Sequence, residues 1–169
     1  MQLRDYQIEI ADRAKEIIDD SGFVYLAMQV RTGKTLTSLY ISKMVGSENV
    51  LFVTKKKAIS SIHEDYLKLN PGYNLWIVNY ESLHKFNMSK VDMIILDEAH
   101  CFGAYPKPSL RAKYVRDVID RDNCKAIFLS GTPTPESYSQ MYHQMWVLGD
   151  MSPFARYSNF YKCAKDFVD

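Results

Sequence analysis

Short, unbroken runs of apolar residues recur at positions 23–28, 50–53, 75–78, 93–96 and 126–129. Continuous rather than alternating, they predict strands covered on both faces, the pattern of a parallel sheet. Between most of them the apolar positions switch to a helical period, which predicts helices over 34–44, 58–69 and 110–121. At the N-terminus Leu3, Tyr6, Ile10, Ala14 and Ile17 fall at helical spacing, an amphipathic helix that Ser21-Gly22 closes. Strand and helix in alternation imply right-handed crossovers and an α/β fold: a mainly parallel, doubly wound sheet of five or more strands flanked by helices. From Ser137 the pattern changes. Tyr138, Met141, Tyr142, Met145 and Leu148 make a helical stripe, and Phe154, Tyr157, Phe160, Tyr161 and Phe167 follow as an aromatic tail. Residues 137–169 are therefore expected to form a helical extension whose apolar side chains pack as core.

The 169 residues suit one such domain, 1–169, with a full-sized core. A net charge of +1 does not advertise nucleic-acid binding by the chain as a whole. Lys55-Lys56-Lys57 is a compact basic cluster, which on its own reads as a solvated helix start. Three scattered cysteines with no CxxC pair argue against a disulfide framework or zinc site and suit a reducing cytoplasm. No apolar stretch approaches membrane-spanning length and no signal peptide is evident, so a cytoplasmic protein without a membrane partner is expected.

Three strings close three of the apolar runs: Arg31-Thr32-Gly33-Lys34-Thr35, Asp97-Glu98-Ala99-His100 and Ser130-Gly131-Thr132-Pro133. In a doubly wound sheet all three fall at the carboxyl ends of strands, where ligands bind. The first follows a strand and opens a helix, the setting of a phosphate-binding loop. There Gly33 lets the backbone approach, Lys34 reaches the phosphates and the Thr35 hydroxyl ligates Mg²⁺. Met28 stands where the first glycine of GxxxxGK[ST] would be. In the second string Asp97 projects from a strand end as a magnesium carboxylate, and Glu98 can orient or deprotonate a water; the alternative is a pair of surface acids capping the next segment. His100 could relay the state of a γ-phosphate to Ser130 and Thr132, or be a satisfied buried histidine.

In this order and spacing the strings resemble the first RecA-like domain of a superfamily-two helicase, nearest the Swi/Snf-type branch of phage and bacterial DEAH-containing proteins. Leu3-Arg4-Asp5-Tyr6-Gln7 is similar to the family's N-terminal LRxYQ element, Arg31 to Thr35 to its motif I, Asp97 to His100 to motif II, and Ser130 to Pro133 to motif III. The resemblance implies that Gln7 reads an adenine edge, with Arg4 and Tyr6 supporting the nucleotide pocket beside Arg31, Thr32, Gly33, Lys34 and Thr35. It implies catalytic roles for Lys34, Asp97 and Glu98, metal ligation by Thr35 and Asp97, and coupling through His100, Ser130 and Thr132. Residues 50–57 and 78–83 resemble the family's motifs Ia and Ib. On that likeness Lys55, Lys56, Asn79 and Tyr80 line a nucleic-acid track. Arg31 departs from the pattern, since many relatives carry glycine there.

The resemblance implies an ATP hydrolase that uses Mg²⁺ and couples hydrolysis to movement on single- or double-stranded DNA. In the family a second RecA-like domain supplies an arginine finger, worth about a thousandfold or more in rate. The chain has no counterpart of that domain, so alone it is expected to bind ATP weakly and turn over slowly. Two other possibilities stay open: a stand-alone nucleotide- or nucleic-acid-binding module without motor activity, and an RNA-dependent ATPase.

Overall fold

The five apolar runs form five strands in the computed structural model, which describes residues 2–29 and 31–167. They are β1 (Phe23–Ala27), β2 (Asn49–Thr54), β3 (Asn74–Asn79), β4 (Met93–Leu96) and β5 (Lys125–Ser130). They lie in the order β1-β5-β4-β2-β3, and every neighbouring pair is parallel. This is a RecA-like α/β fold. Burial follows position in the sheet. All four residues of β4 are buried, and β2 and β5 are buried from their second residue on. The edge strands β1 and β3 are only half covered.

Helices α1 (Asp5–Ser21), α2 (Lys34–Val45) and α3 (Ile59–Leu69) cover one face, and α4 (Leu110–Asp122) and α5 (Met141–Trp146) the other. The period of two along each strand divides the core accordingly. Val50, Phe52, Met93, Ile95, Ile127 and Leu129 pack against Ala11, Ala14, Ile18, Leu39, Ile41 and Ile62. Their neighbours Leu51, Val53, Ile94, Leu96, Ala126 and Phe128 pack against Ala112, Val115, Val118, Ile119 and Met145. Each Val, Leu, Ile, Phe or Met among them, fully buried, contributes roughly 1.5–3 kcal/mol of hydrophobic stabilisation. β1 sends its helix to the first face and β4 sends the following chain to the second, so the connections diverge at the carboxyl ends of the strands, the end at which sheets of this kind bind ligands.

Two details differ from expectation. The inward stripe of α1 is Gln7, Ala11, Ala14 and Ile18, while Tyr6 and Ile17 are 37% and 39% exposed. The stripe is turned because Gln7, though polar, finds partners on α2 and can be buried. The C-terminal region is broken into pieces: a 3-10 turn at Tyr138–Gln140, α5, a second turn at Gly149–Met151, and α6 (Phe160–Phe167). Tyr142, Met145 and Leu148 are buried as the stripe requires, but Tyr138 is 84% exposed. Among the described residues no helix is long and apolar enough to cross a membrane.

Candidate functional site

The turn from β1 into α2 carries the first string. Gly33 is the N-cap of α2 and sits in the left-handed region (φ 78°, ψ 33°). Its carbonyl accepts the Thr37 N–H at 3.0 Å, and the Thr37 hydroxyl donates to the same oxygen at 2.8 Å. Arg31 is also left-handed, at φ 65°. The Thr32 hydroxyl donates to the Gln29 carbonyl at 2.6 Å and closes the turn. Arg31 and Gly33 are exposed, and Thr32, Lys34 and Thr35 partly so, leaving the helix N-terminus accessible to an anion. Met28 is buried in the core beneath the loop.

The first turn of α1 is fastened to this loop. The Tyr6 hydroxyl donates to the Thr32 carbonyl at 2.8 Å. Gln7 is 4% exposed, and its amide nitrogen lies 3.4 Å from the Gly33 carbonyl and 3.3 Å from the Thr37 hydroxyl. Its amide oxygen accepts the Arg4 backbone N–H at 2.9 Å. A Cβ at Gly33 would stand 2.4 Å from the Gln7 nitrogen, so any other residue would displace the Gln7 amide, and the left-handed φ favours glycine in its own right. Gln7 thus has partners for both donor and acceptor within the chain, and the Arg4 side chain is exposed.

Asp97 and Glu98 follow β4 directly. The Asp97 N–H donates to the Val53 carbonyl at 2.9 Å and continues the β2–β4 ladder by one residue. One Asp97 carboxylate oxygen accepts the Thr54 hydroxyl at 2.8 Å, and the other accepts the Glu98 N–H at 3.0 Å. Burial pushes the Asp97 carboxyl above its ordinary value; the Thr54 hydrogen bond opposes this, the Glu98 charge adds to it, and the Lys34 charge opposes it. Lys34, at the start of α2, and Asp97, just past β4, stand at the same end of the parallel sheet. Glu98 turns the chain through the left-handed region (φ 51°, ψ 47°).

His100 links the second and third strings. Its Nδ1 is 2.8 Å from the Ser130 hydroxyl, and its Nε2 is 3.4 Å from a Glu98 carboxylate oxygen. The direction of the Nδ1–Ser130 hydrogen bond follows the imidazole tautomer, and Nε2 is within ion-pair distance of Glu98 without a hydrogen bond to it. Ser130 in turn accepts the Thr132 N–H at 3.1 Å. Beyond it, the Gln144 amide donates to the Pro133 carbonyl at 2.7 Å and accepts the Tyr25 hydroxyl at 2.6 Å, tying the third string to α5 and β1.

The basic cluster stands at the same end of the sheet, with Lys55 and Lys56 exposed just past β2. Asn79 closes β3 opposite Thr54 and is partly buried. Tyr80 corrects an expectation: it is 1% exposed, packs on Phe102, and donates its hydroxyl to the Asp97 carbonyl at 2.6 Å. A side chain so buried cannot touch a nucleic acid; the burial reflects its place under the 3-10 turn Tyr80–Lys85. Sequence reasoning also passed over Thr54. The signal was there: Thr54 ends one apolar run as Asp97 ends another, and the register pairing Val53 with Leu96 sets them side by side.

The arrangement offers an anion site at a helix N-terminus, a facing carboxylate, and a hydrogen-bonded path to a third strand end. Among the described residues no group of three or more His, Cys, Asp or Glu could hold a metal by itself, so an ion here needs oxygens from its ligand or water.

Residues 1–82 match the family model described as "Type III restriction enzyme, res subunit". No curated protein matches the sequence. Among solved structures, the chain is similar to a nuclease-deletion mutant of the Type ISP restriction-modification enzyme LlaGI in complex with a DNA substrate mimic, with a TM-score of 0.58 and 20% identity. The match covers 82% of this chain and 18% of that one, so the chain spans less than a fifth of that protein's length.

Proposed function

We propose that this chain is the ATP-binding half of a helicase-type motor of superfamily two: a DNA-dependent ATPase that couples hydrolysis to movement on DNA when a second RecA-like domain closes on it. The observation that carries this is placement: Lys34 opens the helix that follows β1 and Asp97–Glu98 follow β4, so both lie at the carboxyl-end rim of one parallel RecA-like sheet. Supporting it are the match of the first 82 residues to a restriction-enzyme family model and the likeness in fold to an enzyme solved with a DNA mimic.

In this proposal the N–H groups opening α2 cradle the phosphates, and Lys34 pairs with the β- and γ-phosphates. The Asp97 carboxylate and Thr35 hydroxyl are hard oxygen donors in a partly buried site where Asp97 and Glu98 repel each other, which suits Mg²⁺. When bound, Mg²⁺ would neutralise charge on the phosphates. Glu98 orients the attacking water and accepts its proton. His100, hydrogen-bonded to Ser130 and 3.4 Å from a Glu98 oxygen, passes the state of that carboxylate to the turn at Thr132. Tyr6 and Gln7 hold the loop while Arg4 and Arg31 remain free to meet the nucleotide. Lys55, Lys56 and Asn79 bind the phosphodiester backbone, a contact that holds without reading sequence and weakens with salt.

Titration with a fluorescent ATP analogue tests the reading. Binding should be saturable and Mg²⁺-dependent, and Lys34→Ala should weaken it at least tenfold, the loss of one charge-assisted contact. Equal affinity in the two proteins would sink the proposal. Stimulation of ATPase by duplex DNA, single strands or RNA, measured with the second domain supplied, assigns the nucleic acid.

A further inference from the structure

We propose that Thr54 and Tyr80 are positioning residues that hold Asp97 in metal-binding geometry, so that the two segments flanking the nucleic-acid rim also set the metal carboxylate. The inference rests on the proposed nucleotide site and adds to it a route between strand and ion. Three hydrogen bonds define it. The Thr54 hydroxyl donates to one Asp97 carboxylate oxygen, the Tyr80 hydroxyl donates to the Asp97 carbonyl, and the Asp97 N–H donates to Val53. Asp97 is thereby gripped at its carboxylate, its carbonyl and its amide. With Glu98 N–H on the second carboxylate oxygen, each oxygen has one donor and keeps a lone pair for an ion or its water.

Both gripping residues adjoin exposed groups at the rim. Thr54 is wholly buried, yet the next residue is the exposed Lys55. Tyr80 is followed by the exposed Glu81, which binds Arg111 at 2.6 Å, and the Arg111 guanidinium lies 5.9 Å from the centre of the Tyr80 ring. A strand lodged against Lys55 and the Tyr80–Lys85 turn cannot displace either segment without pulling on Asp97. Outer partners of a metal ligand commonly set ten- to a hundredfold of affinity.

The test uses the full chain, a fluorescent ATP analogue, a Mg²⁺ titration, and an oligonucleotide. Thr54→Val removes one hydroxyl at constant shape, Thr54→Ser keeps it, and Tyr80→Phe removes the other. Thr54→Val and Tyr80→Phe are expected to raise the Mg²⁺ concentration for half-maximal binding about tenfold. Nucleotide affinity in EDTA should change less than about twofold, because the phosphate loop is untouched, and Thr54→Ser should restore the wild-type midpoint. The oligonucleotide should move the Mg²⁺ midpoint of the wild type, and move that of either variant less, because each variant keeps the other link. An unchanged midpoint in Thr54→Val, or an equal loss with and without Mg²⁺, overturns the inference. If Tyr80→Phe does not fold, the Val/Ser pair at Thr54 decides alone. Failure of the underlying site would look different: the wild type itself would show no Lys34-dependent binding.

Discussion

At one side of the rim the turn 31–35 carries two left-handed residues, Arg31 and Gly33, and is held from outside by Tyr6 and Gln7 of α1. At the other, Asp97 extends a central strand and is bonded to Val53, Thr54 and Tyr80. The first arm is a strained turn braced by a surface helix; the second is an outgrowth of the sheet. A carboxylate that must present oxygens at fixed positions gains from rigid neighbours, which keep it ready at no cost when the ligand arrives. A loop whose backbone N–H groups must wrap an anion gains from curvature, and left-handed residues supply it. The two sides therefore respond differently to substitution.

The largest effect is expected at Gly33. An alanine there would place Cβ 2.4 Å from the Gln7 amide on a backbone at φ 78°. Such strain costs on the order of 1–3 kcal/mol, and either the loop or the Gln7 amide that braces it must shift, so nucleotide affinity should fall together with the unfolding free energy. Combining it with Gln7→Ala should relieve the clash but not the φ strain, giving partial recovery in chemical denaturation. A Gly33→Ala protein as stable as the wild type would show that α1 does not brace the loop.

The contrast also explains what could be foreseen. The Met93–Leu96 strand was legible to the residue, because a run of four apolar residues ended by Asp97 admits few alternatives. The faces of the sheet and the end holding the three strings followed from alternation of strand and helix. The strand order β1-β5-β4-β2-β3 did not, since nothing in a local pattern says which strands pair. The burial of Gln7 and Tyr80 was not legible for one shared reason: a polar side chain can be buried when a distant backbone or hydroxyl group satisfies it, and those partners, Gly33 and Asp97, are 26 and 17 positions away. The broken C-terminal region escaped because its apolar spacing continues across the turn at Gly149–Met151.

A smaller effect, opposite in sign, is expected at Asp97. Burial raises its carboxyl, with the Glu98 charge reinforcing and Thr54 and Lys34 opposing. A group whose value is raised in the folded state binds protons more readily there than in the unfolded chain. Its favourable contribution is therefore complete below the ordinary carboxylate value and is lost as pH rises through the raised one. Asp97→Asn removes that burden, so the nucleotide-free variant should be the more stable protein at neutral pH, by on the order of 1 kcal/mol or roughly 2–4 °C in midpoint. The gap should narrow as pH falls toward about 4. Adding Mg²⁺ and nucleotide should reverse the ranking, since only the wild type then gains binding energy. A gap independent of pH would mean that the charge on Asp97 is not what the sheet tolerates at a cost.

The smallest effect is expected at Arg31, where two terms nearly cancel. Its φ of 65° costs a non-glycine residue about 1–2 kcal/mol, which Arg31→Gly would recover. Glycine also loses about 0.5–1 kcal/mol more backbone entropy on folding, so the net gain should lie between about 0 and 1.5 kcal/mol. Charge must be separated from backbone to interpret the accompanying change in nucleotide affinity, and Arg31→Asn does so: asparagine tolerates the left-handed region but carries no charge. If Arg31 meets the phosphates, both variants should bind nucleotide a few-fold more weakly and with a shallower salt dependence, although only glycine frees the backbone fully. If its role is only to be accommodated by the turn, glycine should raise stability slightly while both variants keep wild-type affinity.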